Sequence, residues 1–326
     1  MTEAMVFTKF MYGPESTYGT AATRTTTLGR VQSYDPDENN SMIYERGLGE
    51  GLNPVKTYYG PYNCGASVGF NVVNFDFLKH WIGPKTGSDP WTLTEAIDIE
   101  ANETSLQPFT FEASNTTEST DDVHIMSGCI GNAFSLTASI GGILSCDASF
   151  FGQKTFRDTT ATSYTALTED SYVAINGTWK WGATPTEFTS VRSFTLNYTN
   201  GLSPDDNRTL DSRFTKMPVL SAGRIYNGDL TVVLNQALAQ TIYTNFYGQT
   251  PSSGPVGGTT DAAPTADLEF KIEFVKSDEY ATLWLDQASI DSISEPVAVG
   301  GGVVLLNFNF TARQGRSNTP IVWGAN

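Results

Sequence analysis

Two stretches of this chain, roughly half its length apart, read as the same structural sentence, and that repeat narrows the possible folds more than any other feature. The first runs from Gly60 through Cys64-Gly-Ala-Ser-Val-Gly-Phe-Asn-Val-Val-Asn74 to Asp76-Phe-Leu-Lys-His-Trp-Ile-Gly83. The second runs from Ala222 through Ile225-Tyr-Asn-Gly-Asp-Leu-Thr-Val-Val-Leu-Asn235 to Gln236-Ala-Leu-Ala-Gln-Thr-Ile-Tyr-Thr-Asn-Phe-Tyr-Gly248. Each is an alternating, glycine-bearing strand, then Asn, then a short apolar helix stopped by Gly. Each is followed, after a variable loop, by two long strands. Period-two alternation buries one face of a strand and wets the other. A duplicated β-module of this kind points to a protein that builds something.

The two long strands of the first half make the alternation explicit. Phe134, Leu136, Ala138 and Ile140 alternate with Ser135, Thr137 and Ser139; after Gly141-Gly142, Leu144, Cys146, Ala148 and Phe150 alternate with Ser145, Asp147 and Ser149. A two-residue Gly-Gly turn would set Leu136 against Asp147, and a one-residue slip flips every side chain to the other face. A three-residue loop, Ile140-Gly141-Gly142 with Gly142 left-handed, restores apolar against apolar and sets Cys146 opposite Leu136. Leu283 to Ile293, with a bulge near Gln287, and Val304 to Ala312 repeat the theme in the second half. The expected fold is mainly β: two tandem antiparallel β-sandwich or barrel modules, each with a short flanking α-helix. The expected divisions are an irregular N-terminal arm (1–30), a first module (31–155), a linker or insertion (156–188), a second module (189–315) and a C-terminal tail (316–326). The stretch 249–266, rich in Gly, Pro, Ser and Thr, reads as a surface loop.

Composition excludes some functions. The formal charge is −16, against the phosphate neutralisation on which a general nucleic-acid binder relies. No apolar run approaches a membrane span, and the N-terminus lacks the pattern of a secretory leader. Cys64, Cys129 and Cys146 have no metal-ligand spacing and read as buried thiols.

Motifs for chemistry are weak. Gly65-Ala-Ser-Val-Gly69 fits the hydrolase pattern G-x-S-x-G, which needs its Ser on a sharp strand-to-helix turn, whereas Ala66, Val68, Phe70 and Val72 continue as one strand. The pairs Asp35/Asp37, Asp121/Asp122 and Asp205/Asp206 lack the loop spacing of a calcium motif and read as solvated charge. No catalytic set, cofactor fingerprint or metal site is expected. More informative are two long, charged loops at matching places in the halves, 33–53 and 200–218. They place Asp35, Asp37, Glu38, Glu45 and Arg46 in the first, and Asp205, Asp206, Arg208, Asp211 and Arg213 in the second. Arg among acids on projecting loops suits contacts between subunits, and equally suits a solvated face.

Glu15-Ser-Thr-Tyr-Gly-Thr-Ala-Ala22, Leu28-Gly-Arg-Val-Gln-Ser33, Ser127-Gly-Cys-Ile-Gly-Asn-Ala-Phe134, Cys146-Asp-Ala-Ser-Phe-Phe-Gly-Gln-Lys154 and Val191-Arg-Ser-Phe-Thr-Leu-Asn-Tyr198 resemble the tail tube proteins of long-tailed bacteriophages and archaeal tailed viruses. The resemblance runs from about residue 7 to residue 313. It implies a virion protein, made in the host cytoplasm, whose inner sheet joins those of its neighbours into a ring. Rings stack into a hollow tube through which viral DNA leaves without specific binding, and an elongated loop docks on the adjacent ring. The implied partners are further copies of the chain and other tail proteins: tape measure, terminator, and baseplate or tip. Two modules per chain favour a trimer with pseudo-sixfold symmetry over a hexamer. Ser145, Asp147 and Ser149 are the candidate lumen-facing residues. Rival readings are another self-assembling virion component (capsid decoration or tail completion) and a surface-binding β-sandwich using Trp91, Trp179, Trp181, Trp284 and Trp323 as a stacking platform.

Overall fold

The computed structural model describes residues 9–47, 53–96, 106–116, 121–182, 185–188, 190–234, 236–247, 268–277, 279–295, 304–315 and 320–325. The protein is mainly β, as its alternation requires. The loop expected over 249–266 lies outside the described residues.

In the first half, β1 (Lys9–Pro14), β2 (Arg30–Asn39), β3 (Ile43–Glu45), β4 (Lys56–Tyr58), β5 (Asn63–Asn71), β6 (Phe109–Thr116), β7 (Asp121–Ser139), β8 (Ser145–Gly152) and β9 (Lys154–Asp158) follow in order. The second half carries β10 (Gly177–Gly182), β11 (Val191–Thr199), β12 (Ile225–Val233), α1 (Gln236–Tyr247), β13 (Leu268–Val275), β14 (Glu279–Ser294), β15 (Leu305–Gly315) and β16 (Ile321–Ala325). The repeat seen in the sequence is a repeat of topology. In the first half β2 pairs with β5, β5 with β8, β8 with β7 and β7 with β6. In the second half β11 pairs with β12, β12 with β15, β15 with β14 and β14 with β13. All eight of these pairings are antiparallel. The bulges repeat too: Val31/Ser33 in β2 matches Val191/Ser193 in β11, and Gly131/Ala133 in β7 matches Ile290/Ser292 in β14.

Each module is a sandwich because its longest strand bends through both layers. β7 pairs with β6 and β9 over its first half and with β8 over its second, and Gly128 takes a left-handed φ of 66° at the bend. β14 does the same, with Gln287 at φ 52° beside the bulge expected there. Within one chain the modules are fused laterally. β7 pairs with β11 from Ala133↔Thr199 to Ser139↔Ser193, so β2-β5-β8-β7-β11-β12-β15-β14 form one continuous eight-stranded sheet. Its packed face carries Val68, Ala148, Phe134 and Tyr198 along one row, all buried. Trp81 and Trp181 are fully buried in the two halves, where burying so large an apolar surface is worth several times a methyl group.

Several expectations change. The first flanking helix is only a 3₁₀ segment, Asp76–His80, and α1 is the full helix. The Leu136↔Cys146 pair forms as expected, but the rungs stop at Thr137↔Ser145, Ile143 bridges Val173 instead of closing the loop, and Gly141, at φ 68°, is the left-handed residue, not Gly142. The arm expected to be irregular supplies β1, which pairs along β6. The stretch read as a loop from residue 33 is an edge strand as far as Asn39, where solvent on one side tolerates Asp35, Pro36, Asp37 and Glu38. All three cysteines are buried and free. Trp179, Trp181 and Trp323 lie in the core, which removes most of the stacking platform that a binding module would need.

Candidate functional site: a polar sheet face and two rim loops

The face of the eight-stranded sheet opposite the core is lined by small polar side chains, rung after rung. One row runs Ser33, Gly69, Asp147, Ser135, Asn197, Asn227, Thr311 and Ser289. The next runs Asn71, Ser145, Thr137, Thr195, Asp229, Asn309 and Ser292, with Arg30 at its outer end. On the other side lie Asp35, Ser67, Ser149, Ala133, Thr199 and Ile225. The surface dips into a cleft of about 400 Å³ bordered by Asp35, Ser67, Asp147, Ser149, Asn197 and Asn227.

The three residues expected to face a lumen are therefore on one face. Asp147 is exposed; Ser145 and Ser149 are half-buried, donating to the carbonyl oxygens of Thr137 (3.3 Å) and Ala133 (3.4 Å). Asp229 and Asp291 belong to the same face and were not singled out by sequence. Partial burial raises the Asp229 carboxyl above its ordinary value, against a bond from Thr195 that lowers it. Asp291 accepts from Thr311 Oγ1 at 2.5 Å. The signal that would have found them was the same alternation, Asn307, Asn309 and Thr311, in the second half. Along these rows, carboxylates outnumber cations: Asp35, Asp147 and Asp229 against Arg30, whose guanidinium is turned to the Glu169 carbonyl at 2.9 Å.

Ser67 sits in extended β5 with its neighbours paired on both sides, so the G-x-S-x-G pattern is a strand and not a nucleophile elbow.

The rim loops connect the first and second strands of each module. β3 and β4 pair with each other, and around them Ile43, Tyr44, Val55, Tyr58 and Tyr59 are exposed. Glu45 and Arg46 are exposed there, with Glu45 accepting from Tyr58 at 2.8 Å. The second loop folds back onto the base of the first. Arg208 pairs with Asp205 at 2.7 Å and reaches the Tyr62 carbonyl and Asn63. Arg213 donates to Asn40 Oδ1 at 2.5 Å and lies over the Tyr59 ring at 4.8 Å. Asp206 and Asp211 stay exposed. Asp35 and Asp37 share a second hollow with Asp205, while Glu38 bridges inward, its Oε1 lying 2.8 Å from His124 Nε2 and its Oε2 accepting from Tyr62.

Among the described residues no group of His, Cys, Asp and Glu is arranged to hold a metal ion, and no helix is long and apolar enough to cross a membrane. A search of curated proteins returns no match. The sequence model of one family, described as phage tail tube protein, matches residues 8–312. With that match spanning nearly the whole chain, over a mainly-β fold with a duplicated sandwich, the chain belongs to the phage tail tube protein family.

Proposed function

We propose that copies of this chain close laterally into rings and that the rings stack into the hollow tail tube through which viral DNA is ejected. The observation that carries this reading is the continuous inner sheet, cored on one face and lined on the other by Ser, Thr, Asn and Asp. Such a face suits a wet channel wall, and carboxylates on it repel phosphates so that DNA slides without sticking. Two modules per chain, read as 31–155 and 189–315, make three chains per ring the natural count for six modules. The rim loops, with Asp35, Asp37, Glu38, Glu45, Arg46, Asp205, Asp206, Arg208, Asp211 and Arg213, would meet neighbouring subunits, as would the exposed Ile43, Tyr44, Tyr58 and Tyr59 around β3 and β4. Tape measure, terminator, and baseplate or tip proteins are the expected further partners.

Asp147→Lys tests the channel reading. The substitution lies on an exposed polar face and should leave tubes intact, while DNA release, followed by dye fluorescence from triggered particles, should slow severalfold. Unchanged release kinetics in intact tubes would contradict an electrostatic role for this face.

A further inference from the structure

The eight-stranded sheet ends on two open edges. Among the described residues β2 pairs only with β5, and beyond its bend β14 pairs only with β15. In the first module the strand equivalent to β14 is β7, and its free side is taken by β11, the equivalent of β2. One chain thus contains a finished copy of the junction that its own edges lack. We infer that β14 of one copy pairs antiparallel with β2 of the next in the register of the β7–β11 junction, an inference that rests on the ring reading above.

The matching bulges fix that register. They equate Ala133, Phe134 and Ser135 of β7 with Ser292, Ile293 and Ser294 of β14, through partners in β8 and β15 that themselves align. They likewise equate Thr199, Tyr198 and Asn197 of β11 with Asn39, Glu38 and Asp37 of β2. Carrying the pairs across places Ser294 opposite Asp37 of the neighbouring copy, Ile293 opposite Glu38, and Ser292 opposite Asn39.

Two observations favour this docking. Phe134 is only 3% exposed beneath its junction, whereas Ile293 packs on the core yet remains half-exposed, as an unfinished edge requires. A slip of one residue sets either Glu295, a like charge, or the apolar Ile293 against Asp37, and either slip turns the polar row to the other face. An open edge is itself a template for another strand, and the pairs run from Asp37 to Asn39, stopping short of Pro36, which has no N–H to offer.

The test is disulfide trapping in assembled full-length protein. Asp37→Cys with Ser294→Cys should yield oxidised species of two and three chains, ending at three. Asp35→Cys with Ser294→Cys, two residues off register and beyond the reach of a disulfide, should not, and each single variant controls for the native thiols. Rings visible by electron microscopy that cross-link only through the shifted pair overturn the register and leave the ring standing. If the variants do not assemble, hydrogen exchange on wild-type rings replaces them. Slowed exchange at 37–39 and 292–294 on assembly supports the junction, and unchanged exchange in intact rings overturns it. Wild-type protein that forms no ring overturns both readings.

Discussion

Asn200 shows how much of this fold rests on single buried polar groups. It is fully buried, donates to the carbonyl oxygens of Trp81 (2.5 Å) and Gly131 (2.8 Å), and accepts from the Tyr198 hydroxyl (2.6 Å) and Arg224 Nε (3.1 Å). Those partners belong to both modules, so one amide fastens the first half to the second. Asn200→Ala leaves several buried groups unsatisfied and should cost about 2–3 kcal/mol by chemical denaturation; a loss below a few tenths would mean water replaces the amide. The histidines set an acid limit. Burial, reinforced by Lys79, pushes His80 down to about 3, and burial with Arg157 nearby lowers His124. Both fold neutral, so the unfolded chain takes up protons first. Their contribution is complete above about pH 6.5 and is lost as pH falls toward the folded values, with a slope of at most about 1.4 kcal/mol per pH unit for each histidine. Denaturation midpoints should therefore drop between pH 7 and pH 5, and a midpoint that holds or rises would contradict this. The bonds from Asn200 to Trp81 and Gly131 were not legible in the sequence, since each joins residues far apart along the chain.

The elements were more legible than their ends. Strict alternation marks β5, β7, β8 and β15, and the apolar faces demand the right hairpin register. The sign of φ at the two glycines is not encoded in the same way, because either Gly accepts a left-handed turn. β2 is hidden because Asp35-Pro-Asp-Glu-Asn-Asn40 has the composition of a turn; an edge strand tolerates it, and pairing on one side is a tertiary fact. The bulge of β7 carries its own prediction. A Cβ on Gly131 would run into the Trp81 ring, and that indole is pinned by bonds to the carbonyls of Ala133 (3.1 Å) and Ser149 (2.9 Å). Gly131→Val should thus destabilise the protein by about 2–3 kcal/mol, as overpacking does. Thermal unfolding with an unshifted midpoint would show that Trp81 has room to move.

For the whole molecule, the duplication is the organising fact. Two modules with the same strand order, the same bulges and one shared sheet leave an open sheet edge at each end among the described residues, and the proposed ring would close both. Closure removes the edges that long strands otherwise present to one another. The sequence disclosed the repeat and the family pattern, whereas the lateral fusion through β7 and β11 needed the structure, because pairing between modules leaves no local periodicity. Electron microscopy of assembled rings, averaged down the axis without imposed symmetry, tests the account most directly. Three chains per ring, six similar modules and an open lumen are the predicted result; six chains per ring, or particles with no lumen, would contradict it.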